Sequence, residues 1–109
     1  MNTYDQESES NGGFMETLFP GSMMVHTMHV VCRAQFMVLS RMLSCLAGYD
    51  HTLKSLQGTR DGEMFHQRIV LTGISERDAT SIKLRLSRCE GVVRVQIEHL
   101  IRRVQAEQR

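Results

Sequence analysis

The alternation of apolar and polar positions divides most of the chain into short segments of period two and period three to four. From Met24 onward, Met28, Val30, Cys32 and Ala34 alternate with His29, Val31 and Arg33, the pattern of a half-buried strand. From Met37 the period lengthens. Leu39, Met42, Leu43 and Leu46 recur at i, i+3, i+4 and i+7, which predicts a helix, and Gly48 follows as a residue able to take the left-handed C-terminal cap. A weaker, more polar strand is predicted over 51–59. Asp61-Gly62 then gives a hairpin-turn signal. Phe65, Ile69 and Leu71 alternate with His66, Arg68, Val70 and Thr72. Ser75 is a natural N-cap, with Glu76 and Asp78 in the following turn, where acidic charge suits the helix dipole. Ala79, Ile82, Leu86 and Cys89 hold helical spacing, Gly91 repeats the role of Gly48, and Val93, Val95 and Ile97 mark a last strand.

The order strand–helix–strand, hairpin, strand–helix–strand predicts an α+β fold of the ferredoxin-like βαββαβ kind. Two right-handed crossovers interleave in one antiparallel sheet of order 4-1-3-2, with both helices on one face. The helix stripes are expected on Val30, Cys32, Ile69, Leu71, Val93 and Val95. The other face carries Val31 and Val70 among His29, Arg33, Arg68, Arg94 and Gln96. That mixed face, with a weak edge strand, suggests a homodimer.

Residues 1–22 differ in kind. Met1 to Gly13 has little to bury, which predicts a disordered tail; Phe14, Leu18 and Phe19 could form a short anchor before Pro20-Gly21-Ser22. Met23 or Met24 is an alternative start. The expected organisation is a tail over 1–22, one domain over 23–99 and a short tail over 100–109.

Composition changes this picture little. The 109 residues are 41% hydrophobic and 23% charged with a formal net charge of +1, which is globular and gives no electrostatic reason for a nucleic-acid or membrane-surface partner. No apolar run is long enough to span a bilayer, and the polar, acidic start does not resemble a signal peptide. The three cysteines, Cys32, Cys45 and Cys89, form no close pair along the chain and suggest free thiols in a cytoplasmic protein.

A soft-metal site in the first loop needs two closely spaced thiols, and only Cys32 is there. His26, His29, His51, His66 and His99 are expected to be solvated or edge histidines, and His26 and His29 should point to opposite faces of a strand. An RNA-stacking platform needs aromatic residues on the first and third strands, where His29, Val31, His66, Arg68 and Val70 stand instead. No cysteine has a base in a recognisable motif, and no Gly-rich phosphate loop is present, so no catalytic residue, cofactor or metal is assigned. One geometric site remains. The amides at the start of the first helix, around Gln35, Phe36, Met37 and Val38, could hold a carboxylate, and Asp50-His51-Thr52 at the start of the second strand, from the same chain or a dimer mate, could form the opposite wall with an ammonium near Asp50. The plain alternative is a loop that only turns the chain.

The segment from His29 to Glu98 resembles the ACT domain, a regulatory βαββαβ module. The residues that carry the resemblance are Leu39-Ser40-Arg41-Met42-Leu43, Leu46-Ala47-Gly48-Tyr49 and Gly91-Val92-Val93-Arg94-Val95. They are similar to the helix and final strand of the acetolactate (acetohydroxyacid) synthase small subunit, of the short, single-domain kind. The resemblance implies a non-catalytic subunit that activates a thiamine-diphosphate-dependent large subunit in branched-chain amino-acid biosynthesis. In many members a branched-chain amino acid exerts feedback. Effector-binding ACT domains usually have a Pro-Gly pair where this chain has Ala34-Gln35-Phe36-Met37-Val38, which implies weak or lost feedback. The second expectation is a free-standing ACT homodimer that senses a small amino acid and regulates another enzyme or a transcription factor.

Overall fold

A computed structural model describes residues 22–103. In chain order it comprises β1 (Ser22–Arg33), α1 (Phe36–Ser44), a single 3-10 turn (Asp50–Thr52), β2 (Leu53–Asp61), β3 (Met64–Thr72), α2 (Glu76–Ser87) and β4 (Val92–Arg103). The strands form one sheet of order β2-β3-β1-β4, and every neighbouring pair is antiparallel. This is the ferredoxin-like arrangement, with the sheet order expected from the alternation. The expectations for an N-terminal tail and for an anchor at Phe14, Leu18 and Phe19 lie outside the described residues; of the stretch 100–109 expected as a short tail, residues 100–103 continue β4 and 104–109 lie outside the described residues.

The local signals act as their chemistry dictates. Ser75 caps α2, its hydroxyl accepting from the amide of Asp78 at 3.0 Å. Gly48 and Gly91 both have positive φ, 94° and 93°, and end the two helical segments. Gly91 has a second reason to be glycine. A Cβ there would lie 2.5 Å from Cγ2 of Val38, so the chain entering β4 passes directly over α1.

The core lies between the sheet and the helices. Met28, Val30 and Cys32 of β1 and Ile69 and Leu71 of β3 meet Val38 and Met42 of α1 and Ala79, Ile82 and Leu86 of α2. Each of the larger side chains, fully withdrawn from water, contributes about 1.5–3 kcal/mol. Gln67, also buried, points its amide nitrogen at two sulfurs, Met42 Sδ at 3.3 Å and Cys32 Sγ at 3.7 Å.

The expected packing fails on α1, where Leu43 is 42% exposed and Val38 is buried with Met42, and in the sheet at Val93. Val93 is 60% exposed, while Val92 packs against the core. The cause is an irregularity in the β1–β4 ladder: Val31 faces Arg94 but Cys32 faces Val92, so one extra residue is accommodated on β4. Beyond it the regular alternation returns, with Val95 buried and Ile97 partly so. β1 and β4 pair from Ser22↔Arg103 to Cys32↔Val92. No helix among the described residues is long and apolar enough to cross a membrane.

Candidate functional site

The six residues singled out at the loop and the second strand are divided by the fold. Gln35 is the N-cap residue of α1 in an extended conformation, and its side chain makes no capping bond; no acidic residue occupies the first turn. Phe36 and Met37 stand out in water, 91% and 64% exposed. Val38 turns the other way, 2% exposed, into the core beneath Gly91. Asp50 and His51 are exposed in the 3-10 turn.

The two groups sit at opposite ends of the sheet. The loop before α1 is tied to the β2–β3 hairpin by the Ala34 amide donating to Glu63 O at 3.0 Å, and to the start of β4 by the Arg33 amide donating to Gly91 O at 2.9 Å. That end carries the Cys32↔Phe65 pair. The 3-10 turn runs into Leu53, which faces Leu71, and Leu71 faces His26. Phe65 and Leu71 are six residues apart on β3, about 20 Å. Within one chain, Gln35 and Asp50 therefore do not share a site.

Asp50 has a different neighbourhood. It stands at the rim of a cleft of about 300 Å³ formed by Leu43 in the last turn of α1, Leu46 and Tyr49 after it, and Leu53 and Leu56 of β2. Leu43, Leu53 and Leu56 are 42%, 51% and 43% exposed, so apolar surface here is left open. Tyr49 is held by Arg85, whose guanidinium lies 5.8 Å from the ring centroid and donates to the phenol oxygen at 3.5 Å. This cleft has no motif. The segment 51–59 reads only as a weak, polar strand, and the opening of its leucines toward the end of α1 depends on the crossover.

The face of the sheet away from the helices bears an open depression of about 460 Å³, lined by His29, Arg68, Arg94, Gln96 and Glu98 with Gln57 and Thr59 of β2. His29 Nε2 is 3.8 Å from Glu98 Oε1, and His66 Nε2 is 3.9 Å from Asp61 Oδ2. It is a polar surface with charges of both signs.

The expectation of solvated histidines fails for His26, which is fully buried. β1 starts six residues before Met28, and the same alternation turns His26 inward toward α2. Its Nε2 donates to the Ile74 carbonyl at 2.9 Å, which leaves Nδ1 to accept from His99 Nδ1 at 2.8 Å. His99 Nε2 lies 3.7 Å from Glu76 Oε2. The rings meet edge to face with centroids 5.0 Å apart. Burial holds the His26 imidazole below its ordinary value of 6.5 against the opposing pull of the Ile74 carbonyl, and the His99 ring adds to the lowering. No group of three or more His, Cys, Asp or Glu side chains is placed to hold a metal ion among the described residues.

The three cysteines are free thiols, and two of them meet in space. Cys32 is buried, and burial raises its thiol above the ordinary value, partly offset by the Gln67 amide. Cys45 and Cys89, distant in sequence, bring their sulfurs to 3.1 Å.

The chain matches no family model, and no curated protein is similar to it in sequence. Solved structures share its arrangement. The crystal structure of the ACT domain from GTP pyrophosphokinase of Chlorobium tepidum is 10% identical, with 70% of this chain and 99% of that chain covered and a TM-score of 0.62. An uncharacterised protein from Thermotoga maritima is 11% identical, covering 71% and 94%, with a TM-score of 0.56. The C-terminal domain of the MgtC protein from Mycobacterium tuberculosis is 18% identical, covering 80% and 96%, with a TM-score of 0.57. At these identities the likeness is one of fold, and this chain has the ferredoxin-like fold in which ACT domains are built.

Proposed function

We propose that the chain is a non-catalytic regulatory module, and that it serves as the activating small subunit of acetolactate synthase with weak or lost amino-acid feedback. The ACT-like fold supports the regulatory part of this reading. The pathway rests on the resemblance of Leu39–Leu43, Leu46–Tyr49 and Gly91–Val95 to that small subunit. The observation that carries the reading is the outward presentation of Phe36 and Met37 at the entry to α1. An effector-binding loop keeps small residues there so that a ligand can approach the backbone. Two large apolar side chains in water instead provide contact area for a protein surface. The partner is the thiamine-diphosphate-dependent large subunit, which performs all the chemistry.

The test mixes the purified chain with its cognate large subunit and measures acetolactate formation. The expected result is stimulation and co-elution, both reduced at least tenfold by the double substitution Phe36→Ser, Met37→Ser. Absence of stimulation by the folded wild-type chain overturns the reading.

A second reading, an amino-acid sensor acting on another protein, is favoured by the cleft beside Asp50. Leucine side chains around one carboxylate at its rim suit a branched-chain amino acid, with the ammonium on Asp50. Calorimetric titration across the amino acids separates the two. Saturable binding of valine, leucine or isoleucine that Asp50→Asn weakens about tenfold supports the sensor, and heats no different from dilution count against it.

A further inference from the structure

We propose that Cys45 and Cys89 are a modification site, a dithiol that small thiol-oxidising molecules of the glutathione-disulfide class convert to an intramolecular disulfide. The two sulfurs are 3.1 Å apart, about 1 Å more than a disulfide bond requires. Neither is deeply enclosed; both residues are partly exposed, unlike Cys32. Each thiol otherwise reaches back to the preceding turn of its own helical segment, Cys45 to Arg41 O at 3.5 Å and Cys89 to Arg85 O at 3.6 Å, weak contacts that a disulfide would give up at partly exposed positions.

The backbone around the pair is already held in place. Arg85 Nη1 donates to the Cys45 carbonyl at 3.1 Å, Arg41 Nη1 lies 3.9 Å from Glu90 Oε1, and Gly91 rests on Val38. These ties bracket the two sulfurs and hold their backbones beside each other. Burial, with the Cys45 thiol beside it, pushes the Cys89 thiol up to about 11. That makes Cys89 the slower sulfur to attack an oxidant.

The exchange balances without any other reagent. Cys45, as thiolate, attacks one sulfur of glutathione disulfide; the Cys45–glutathione bond forms, the glutathione S–S bond breaks and one glutathione thiolate leaves. Cys89 then loses its proton and attacks the Cys45 sulfur, releasing the second glutathione thiolate. Two protein thiols are oxidised by two electrons, one glutathione disulfide becomes two glutathiones, and the two protons end on them.

The test treats the full reduced chain with glutathione disulfide, quenches in acid, alkylates with N-ethylmaleimide under denaturing conditions, and digests with trypsin after intact-mass measurement. The expected product is about 2 Da lighter before alkylation, takes one maleimide at Cys32, and gives peptide 42–54 linked to peptide 89–94. Cys32→Ser should leave the link intact. Cys45→Ser or Cys89→Ser should stop at a mixed disulfide, and in the wild type that intermediate should stay below one-tenth of the protein. In urea the link should lose its preference and share with pairs involving Cys32. Two glutathione adducts without a link, three free thiols, or equal pairing in the folded and unfolded chain would each overturn the proposal.

Discussion

The ring of Phe65 fills the space that a side chain on Gly58 would occupy. Its Cε2 and Cζ atoms lie 2.5 Å from the position of a Cβ on Gly58, across the β2–β3 ladder. The backbone of Gly58 is of an ordinary kind, with no positive φ, so the conflict is steric alone. Gly58→Ala is expected to cost about 1–3 kcal/mol, because the ring must leave its place at the border of the core. In a Phe65→Leu background the same change should cost at least about 1 kcal/mol less. A double-mutant cycle by urea unfolding measures the coupling, and additive values would show that the ring moves freely.

Gly91 and Gly48 make a contrasting pair. Both have positive φ, but nothing lies within 4 Å of a Cβ on Gly48, whereas Val38 blocks one on Gly91. Gly48→Ala should cost the left-handed strain alone, about 1–2 kcal/mol. Gly91→Ala adds overpacking to that strain and should cost about 1–3 kcal/mol more. Equal losses in thermal or urea unfolding would mean that Val38 yields without cost.

The His26–His99 contact makes stability depend on pH. The folded state holds His26 below 6.5, so the unfolded chain takes up its proton first as pH falls. The contribution is complete above pH 6.5 and is lost as pH drops through 6.5 toward the lower folded value, at up to about 1.4 kcal/mol per pH unit. His26→Phe should remove this part of the slope. At pH 7.5 it should also cost about 1 kcal/mol or more, because the Ile74 carbonyl and the His99 N–H, both only partly exposed, lose their partner. Urea titrations at pH 7.5, 6.5 and 5.5 check both, and an unchanged slope in the variant would assign the effect to other groups.

The extra residue on β4 predicts unequal costs for two valines that alternate cleanly in sequence. Val93→Ser should change stability by no more than about 0.5 kcal/mol, because Val93 already stands in water. Val95→Ala removes two methyl-sized groups from the core and should cost about 2 kcal/mol. If the two substitutions were equally damaging, the ladder would have to be regular through Val93.

These pairs show which parts of the fold are legible along the chain. Alternation located four strands and helical spacing located both helices, because each element has its own period and its own cap, as at Ser75. The irregularity at Val93 has no such signature; it is set by the partner strand, where Cys32 pairs with Val92. His26 was within reach, since it lies two residues before Met28 on the same side of β1. The sulfur contact between Cys45 and Cys89 was not, because it arises from the way two helical segments cross. The site residues were legible as types and not as neighbours: Val38 faces the core, Phe36 and Met37 face water, and Asp50 borders a cleft that only the chain crossover creates.

The distance between Gln35 and Asp50 also fixes a stoichiometry. Any small molecule gripped by both ends must be shared by two copies of the chain, one lending a helix start and the other a carboxylate. Its apparent affinity would then rise with protein concentration, and dilution alone would empty the pocket before any competitor were added.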